Sequence, residues 1–176
     1  IQEDSEWLTR MVENLLSITR IDSGKIKIIK TPTVLDELID SVMLKFRKRY
    51  PGQEVSLELP EEIVVIPMDA TLIEQVLINL LENAVDAVKD LLPENKPYVK
   101  MLTKVKNRKL LIEISNPYSN GIQRREKVFY STKHEGFGIG TASVAEVVQR
   151  MGGYVVFNTE EGIFKVNIFL PVKTVQ

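Results

Sequence analysis

The chain has no cysteine, one tryptophan and one histidine among its 176 residues. Without thiols there is no disulfide, no thiolate metal site and no sign of the redox compartment. No apolar run approaches the roughly 20 residues that a membrane-spanning helix needs, and no secretory leader is visible. Neither sign of charge dominates: 23 Lys and Arg stand against 24 Asp and Glu, a net charge of −1. That balance supplies no broad field for nucleic acid or an anionic lipid surface. There is no internal repeat or low-complexity tract. What the chain does have is apolar residues, at 44%, with an ordinary 27% charged. This is enough for a real core, and the length suits one domain plus an extra element. The chain starts at Ile1 inside a stretch of helical pattern, so we expect a piece of a longer protein.

The apolar pattern divides the chain. Residues 3 to 22, "EDSEWLTRMVENLLSITRID", read as a helix with a coiled-coil seam at Leu8, Met11, Leu15 and Ile18. Trp7, Val12 and Leu16 widen its apolar face. Such a helix needs a neighbour, either a partner helix or its own domain. Ser23-Gly24 ends it, "KIKIIKTP" alternates like a strand, and a helix follows over roughly 33 to 49. "EVSLEL" and "IVVI" read as short strands, and Asp69 is placed to cap a helix over about 70 to 91. "PYVKMLTKVKNRKLLIEISN" reads as a hairpin turning near Asn107-Arg108. Residues 117 to 138 lack an apolar period and read as a long loop. A helix over about 139 to 151 stops at Gly152-Gly153, and "YVVFNT" and "IFKVNIFLP" form a closing hairpin. This order predicts an α+β fold: a two-layer sandwich with helices on one face of a mixed, mostly antiparallel sheet.

Two features carry chemistry. The helix "LIEQVLINLLENAVDAV" is fit for burial, yet Asn79, Asn83 and Asp86 fall on one of its faces, with Gln75 one turn earlier. Either the stripe simply faces water or it serves a ligand. Surface stripes are usually Lys, Arg and Glu, whereas Asn and Asp are poor helix formers and supply the oxygen donors that magnesium prefers. The second feature is "STKHEGFGIGTASVAEVV", where Gly136, Gly138 and Gly140 alternate just before a helix. Glycine lets backbone approach a ligand, and a helix N-terminus offers N–H groups to an anion. Gly138, Ile139 and Gly140 are therefore a candidate phosphate site, against the plainer reading of a hinge. The pattern is neither a P-loop nor a dinucleotide fingerprint.

"NLLENAVDA", "ISN", "VFYSTK", "GFGIG" and "EGIF" before "IFLP" occur in that order. Together they resemble the nucleotide-binding boxes of sensor histidine kinases. Their catalytic ATP-binding domain is of the Bergerat type shared with gyrase B and mismatch-repair ATPases. The resemblance covers nearly the whole chain, and five ordered motifs are more specific than any one. "ENLLSITRIDSGKIKI" looks like the second helix of the dimerisation domain and its exit. That implies dimerisation helix and linker over residues 1–24 and the catalytic domain over 25–176. The first half is closest to the Kdp-type osmosensing potassium-channel kinases. The second half is closer to citrate-sensor and quorum-sensor kinases.

The resemblance assigns roles by position. Asn83 is the magnesium ligand, one turn after Asn79. Hydrolytic relatives have a water-activating glutamate at Asn79, and an amide cannot take that proton. The domain would thus hold ATP for transfer. Asp86 would add an outer contact where Kdp-type kinases usually carry a basic or aromatic residue, and Lys89 is a candidate to substitute for it. Asn116 replaces the aspartate that accepts from the adenine amino group, a role an amide oxygen can fill. Gly121 is what remains of a following glycine pair, and Ile163 stands where many members have threonine. Ser131, Thr132 and Lys133 resemble the lid segment. Lys133 would meet the γ-phosphate unless it is an ordinary solvated lysine, and Phe129 would anchor the lid. His134, the only histidine, lacks the context of a phosphoacceptor, which is expected outside this chain.

The implied cofactors are ATP and magnesium. The implied partners are the protein's own dimerisation domain, a second copy in a homodimeric parent, and a response regulator, with no nucleic acid. The implied location is cytoplasmic, with membrane attachment only through parent segments outside the chain. Two other readings stand beside this one: an ATPase of the gyrase and mismatch-repair kind, and a degenerate domain that binds partners but little nucleotide.

Overall fold

The computed structural model describes residues 27–89, 91–95, 97–118, 122–125, 128–131 and 139–172. The expected helix at 3 to 22, with its seam at Leu8, Met11, Leu15 and Ile18, lies outside the described residues.

The first elements are set by end chemistry and apolar spacing. Strand β1, Thr31–Val34, leads directly into helix α1, Leu35–Arg49. α1 has Asp36 and Glu37 in its first turn and Arg47, Lys48 and Arg49 in its last, so both ends suit the helix dipole. Leu35, Leu38, Ile39, Val42, Met43 and Phe46 recur at helical spacing and are all buried. The helix stops at Tyr50, before Pro51 and a left-handed Gly52. After β2, Ser56–Glu58, and β3, Val65–Met68, comes helix α2, Ala70–Val88. Asp69 caps it as expected, accepting from Leu72 N at 3.3 Å. Its other carboxylate oxygen accepts from Ile29 N at 3.2 Å, which ties the start of α2 to the segment entering β1.

β4, Lys100–Lys106, and β5, Lys109–Pro117, form the expected hairpin. Asn107 and Arg108 between them both have positive φ, the two-residue turn whose twist matches a hairpin. β8, Tyr154–Glu160, and β9, Ile163–Pro171, repeat the device with Glu161 and Gly162. Between these hairpins lie β6, Ile122–Arg125, β7, Val128–Ser131, and helix α3, Ile139–Arg150. α3 ends in a Schellman closure, in which Gly153 N donates to Val148 O and Gly152 N to Gln149 O, each at 3.0 Å.

The main sheet has the order β2-β4-β5-β9-β8, parallel only between β2 and β4. α2 lies on β5, α3 on β8 and β9, and α1 beside α2 and β1. Their apolar faces meet Met101, Leu110, Ile112, Ile114, Val166, Ile168 and Leu170 in one core. The α+β sandwich read from the sequence is what forms.

Four local expectations are corrected. Residues 117 to 138 do not form one structureless loop, because β6 and β7 pair antiparallel within them. They form a two-stranded sheet apart from the main one, which the residues between 117 and 138 do not announce by any apolar period. Of the expected strand "KIKIIKTP", residues 27–30 are not in a strand, and the strand that forms is Thr31–Val34, held against β3 in a small sheet of its own. Pro32 there stands opposite Pro67, and a ribbon tolerates two residues without N–H better than a sheet interior does. α1 therefore starts at Leu35 rather than near residue 33, and α2 closes at Val88 rather than near 91.

Candidate functional site

The polar stripe of α2 lies on the side of the helix away from its apolar face. Gln75 and Asn83 are exposed, while Asn79 and Asp86 are half-buried. The opposite side packs Ile73, Val76, Leu77, Leu80, Leu81, Ala84, Val85 and Val88 into the core. The helix is thus anchored by one half of its circumference and presents amide and carboxylate oxygens from the other.

Asn116 occupies a different layer. It is the last residue but one of the central strand β5, is 2% exposed, and faces the same side as Ile112 and Ile114. Its Nδ2 donates to Pro117 O at 2.9 Å. With the amide nitrogen engaged, Oδ1 is the atom that would accept from a ligand's amino group. The register pairs Asn116 with Phe164, and Pro117 with Ile163. By alternation Phe164, not Ile163, shares the face of Asn116, and Phe164 stacks on Phe157 with centroids 6.4 Å apart. Sequence reasoning passed over Phe164. Counting the strand back from Pro171 against β5 would have found it.

Ile139 and Gly140 open α3 as expected, and α3 touches both α2 and β7, the strand that ends in Ser131. Gly121, Thr132, Lys133, Gly136 and Gly138 lie outside the described residues, as do the side chains of Ser131, Ile139 and Phe129. The structure therefore packs α3 beside α2, and puts Asn116 near the end of the strand beneath α2.

A second set of polar contacts lies on the flank of α2 facing α1. Ser41, Lys45 and Arg49 follow each other at four-residue steps on α1. Ser41 Oγ donates to Glu74 Oε1, Lys45 Nζ reaches Glu74 Oε2 at 2.7 Å, and Arg49 Nη1 binds Glu82 Oε1. Partial burial pushes the Glu74 carboxyl upward, but the bonds from Lys45 and Ser41 and the Lys45 charge outweigh it. The group is held below the ordinary value of 4.5. Glu82 is 1% exposed, although its neighbour Asn83 is open to water. None of these five residues stood out in the sequence. The signal was the four-residue steps of donors on α1 beside two acids eight residues apart on α2.

Among the described residues, no three His, Asp or Glu side chains gather as a metal cage. Magnesium fits this chain only as an ion that brings most of its ligands with it, from phosphate oxygens and water. Asn83, exposed and neutral, suits that role, and Asp86 on the same stripe suits a contact through water. Among the described residues, no helix is long and apolar enough to cross a membrane.

Known proteins share this fold. The profile of the GHKL domain family matches residues 68–171, from the end of β3 to the last residue of β9. Sensor protein KdpD of Clostridium acetobutylicum is 33% identical over 96% of this chain, which spans 20% of that protein's length. The histidine kinase ThkA, solved in complex with the response regulator TrrA, superposes with a TM-score of 0.73 and 21% identity, covering 96% of this chain and 49% of that one. Full-length ShkA, solved in complex with AMPPNP, superposes with a TM-score of 0.70 and 20% identity, covering 98% of this chain and 38% of that one.

Proposed function

Since this chain belongs to the GHKL domain family, we propose that it is the ATP-binding catalytic domain of a two-component sensor histidine kinase. It transfers the γ-phosphoryl group of ATP to a histidine outside this chain. The observation that carries the reading is the division of α2 into a core-anchored half and a polar half bearing Asn83, exposed, and Asn79 and Asp86, half-buried. Likeness to KdpD over almost the whole chain supports the kinase class.

Asn83 would hold magnesium, which when bound neutralises phosphate charge, and Asn79 and Asp86 would complete the polar wall. The N–H groups that open α3 at Ile139 and Gly140 would receive phosphate, with Gly138, Gly136, Thr132, Lys133 and Ser131 contributed by the segment before it. Asn116 Oδ1 would accept from the adenine amino group, with Gly121 close behind in the chain. Such a site performs phosphoryl transfer by positioning and charge neutralisation and needs no general base of its own. The amide at Asn79 cannot activate water, which favours transfer over hydrolysis.

The parent would supply the phosphoacceptor dimerisation domain and pair with a second copy. It would pass the group to an aspartate on a response regulator. This domain would then sit on the cytoplasmic side, with the parent anchored in the cell membrane through other segments. A potassium-related stimulus follows from the Kdp-type likeness.

The test is labelling from radioactive ATP and magnesium. The chain alone stays unlabelled, whereas an added histidine-bearing dimerisation domain becomes labelled, more slowly with Lys133→Ala. Rapid ATP hydrolysis by the chain alone would instead make it a gyrase-like ATPase. Absence of both labelling and nucleotide binding would leave a degenerate partner domain.

A further inference from the structure

We propose that Arg49 and Glu82 are a positioning pair. Their contact, supported by Ser41 and Lys45 on Glu74, sets the roll of α2 on α1 and so aims Asn79 and Asn83 at the nucleotide. The inference rests on the reading of those asparagines given above.

The argument begins with a cost. Glu82 keeps 1% of its side chain exposed, while Arg49 lies over it with 58% exposed. Taking a carboxylate out of water is expensive, and an apolar pair of similar volume serves stability as well or better. α2 has such residues in the neighbouring stripe, Leu81 and Val85, both buried. Stability alone therefore does not account for a charge at this position. What a charged hydrogen bond adds is direction, which apolar contact lacks.

The direction matters because of where the pair stands. Glu74, Ile78 and Glu82 form one stripe along α2, and Gln75, Asn79 and Asn83 form the next, about 100° further round. A turn of the helix that moves one stripe moves the other. The two anchors are eight residues apart, so they hold α2 at points ~12 Å apart along its axis, against both roll and slide. A roll of about 20° would swing a side chain at the helix surface by roughly 2 Å. Misplacement of ~1 Å can already slow a reaction about a hundredfold. Arg49 is also the last residue of α1, before Tyr50, Pro51 and the left-handed Gly52. The pair thus joins the end of one helix to the ligand-bearing turn of the other.

Calorimetry with magnesium and AMPPNP on the whole chain, run beside thermal melting, tests the pair. Arg49→Met together with Glu82→Leu should melt within a few degrees of the wild type and bind about tenfold more weakly. Arg49→Lys, which keeps a donor, should recover most of the affinity. A double variant that melts and binds like the wild type overturns the proposal. If the double variant fails to fold, Glu82→Gln takes its place: severalfold weaker binding at an unchanged melting temperature supports positioning, and unchanged binding overturns it. If the wild type itself binds no nucleotide, the kinase reading falls, and residual dipolar couplings decide the pair. A rotated α2 in whichever variant folds supports the proposal, and an α1–α2 orientation identical to the wild type overturns it.

Discussion

Gly153 passes so close to Phe169 that a β-carbon on it would lie 2.0 Å from the Phe169 carbonyl oxygen, with Leu170 and Val148 methyls at 3.0 and 3.1 Å. The obstacle is strand backbone and cannot swing aside. Gly153→Ala must therefore push the end of α3 off β9, and we expect a loss on the order of 2–4 kcal/mol. Gly152→Ala should cost less. Its β-carbon meets only a Pro171 ring carbon at 3.7 Å, and the strain is that of a left-handed alanine. Denaturant unfolding of both variants checks the order, and an equal loss at the two positions would contradict it.

Asp69 serves two amides, Leu72 N inside α2 and Ile29 N before β1. Asp69→Ala should remove the helix cap and the tie together, for about 1–2 kcal/mol. Asp69→Asn keeps an accepting oxygen and should cost less than half as much. Thermal melting distinguishes them, and a cap of no consequence would show as two indistinguishable curves.

The Glu74 carboxyl is held below its ordinary value by Lys45 and Ser41. A carboxyl whose folded value is lowered stabilises the fold fully above its unfolded value. That contribution disappears as pH falls through the lowered folded value. Between pH 7 and about 5 the wild type should thus show no change from this group, and below about 4.5 it should lose stability. Glu74→Gln should be less stable than the wild type at pH 7, and the gap should close toward pH 3. A gap independent of pH would mean the ion pair contributes nothing.

Asn83 is exposed, so Asn83→Ala should leave unfolding within about 0.5 kcal/mol of the wild type. If it holds magnesium, affinity for ATP with magnesium should fall about tenfold or more, roughly 1.4 kcal/mol. Without magnesium the two proteins should bind alike. Titration calorimetry in both conditions is the check, and equal affinity in magnesium would remove Asn83 from the metal role.

Much of this protein is determined by its sequence read locally. Apolar steps of three and four mark α1, α2 and α3, Asp69 marks a cap, Asn107-Arg108 marks a turn and Gly152-Gly153 marks a helix end, because each depends on a few neighbouring residues. The α2 stripe was legible for the same reason, since helical geometry alone puts Asn79, Asn83 and Asp86 together. Tertiary structure decided what depends on distant partners. β1 exists where β3 offers it an edge, not where its own residues alternate. β6 and β7 form by pairing with each other, with no apolar period in the chain to announce them. Phe164 rather than Ile163 comes beside Asn116 because β5 and β9 pair in one register and not in the one a residue away. Glu82 reads as one more polar residue of an amphipathic helix, and its burial became visible only when α1 laid Arg49 across it. A residue's burial and its partner are properties of two elements at once, and the pattern along one element does not contain them.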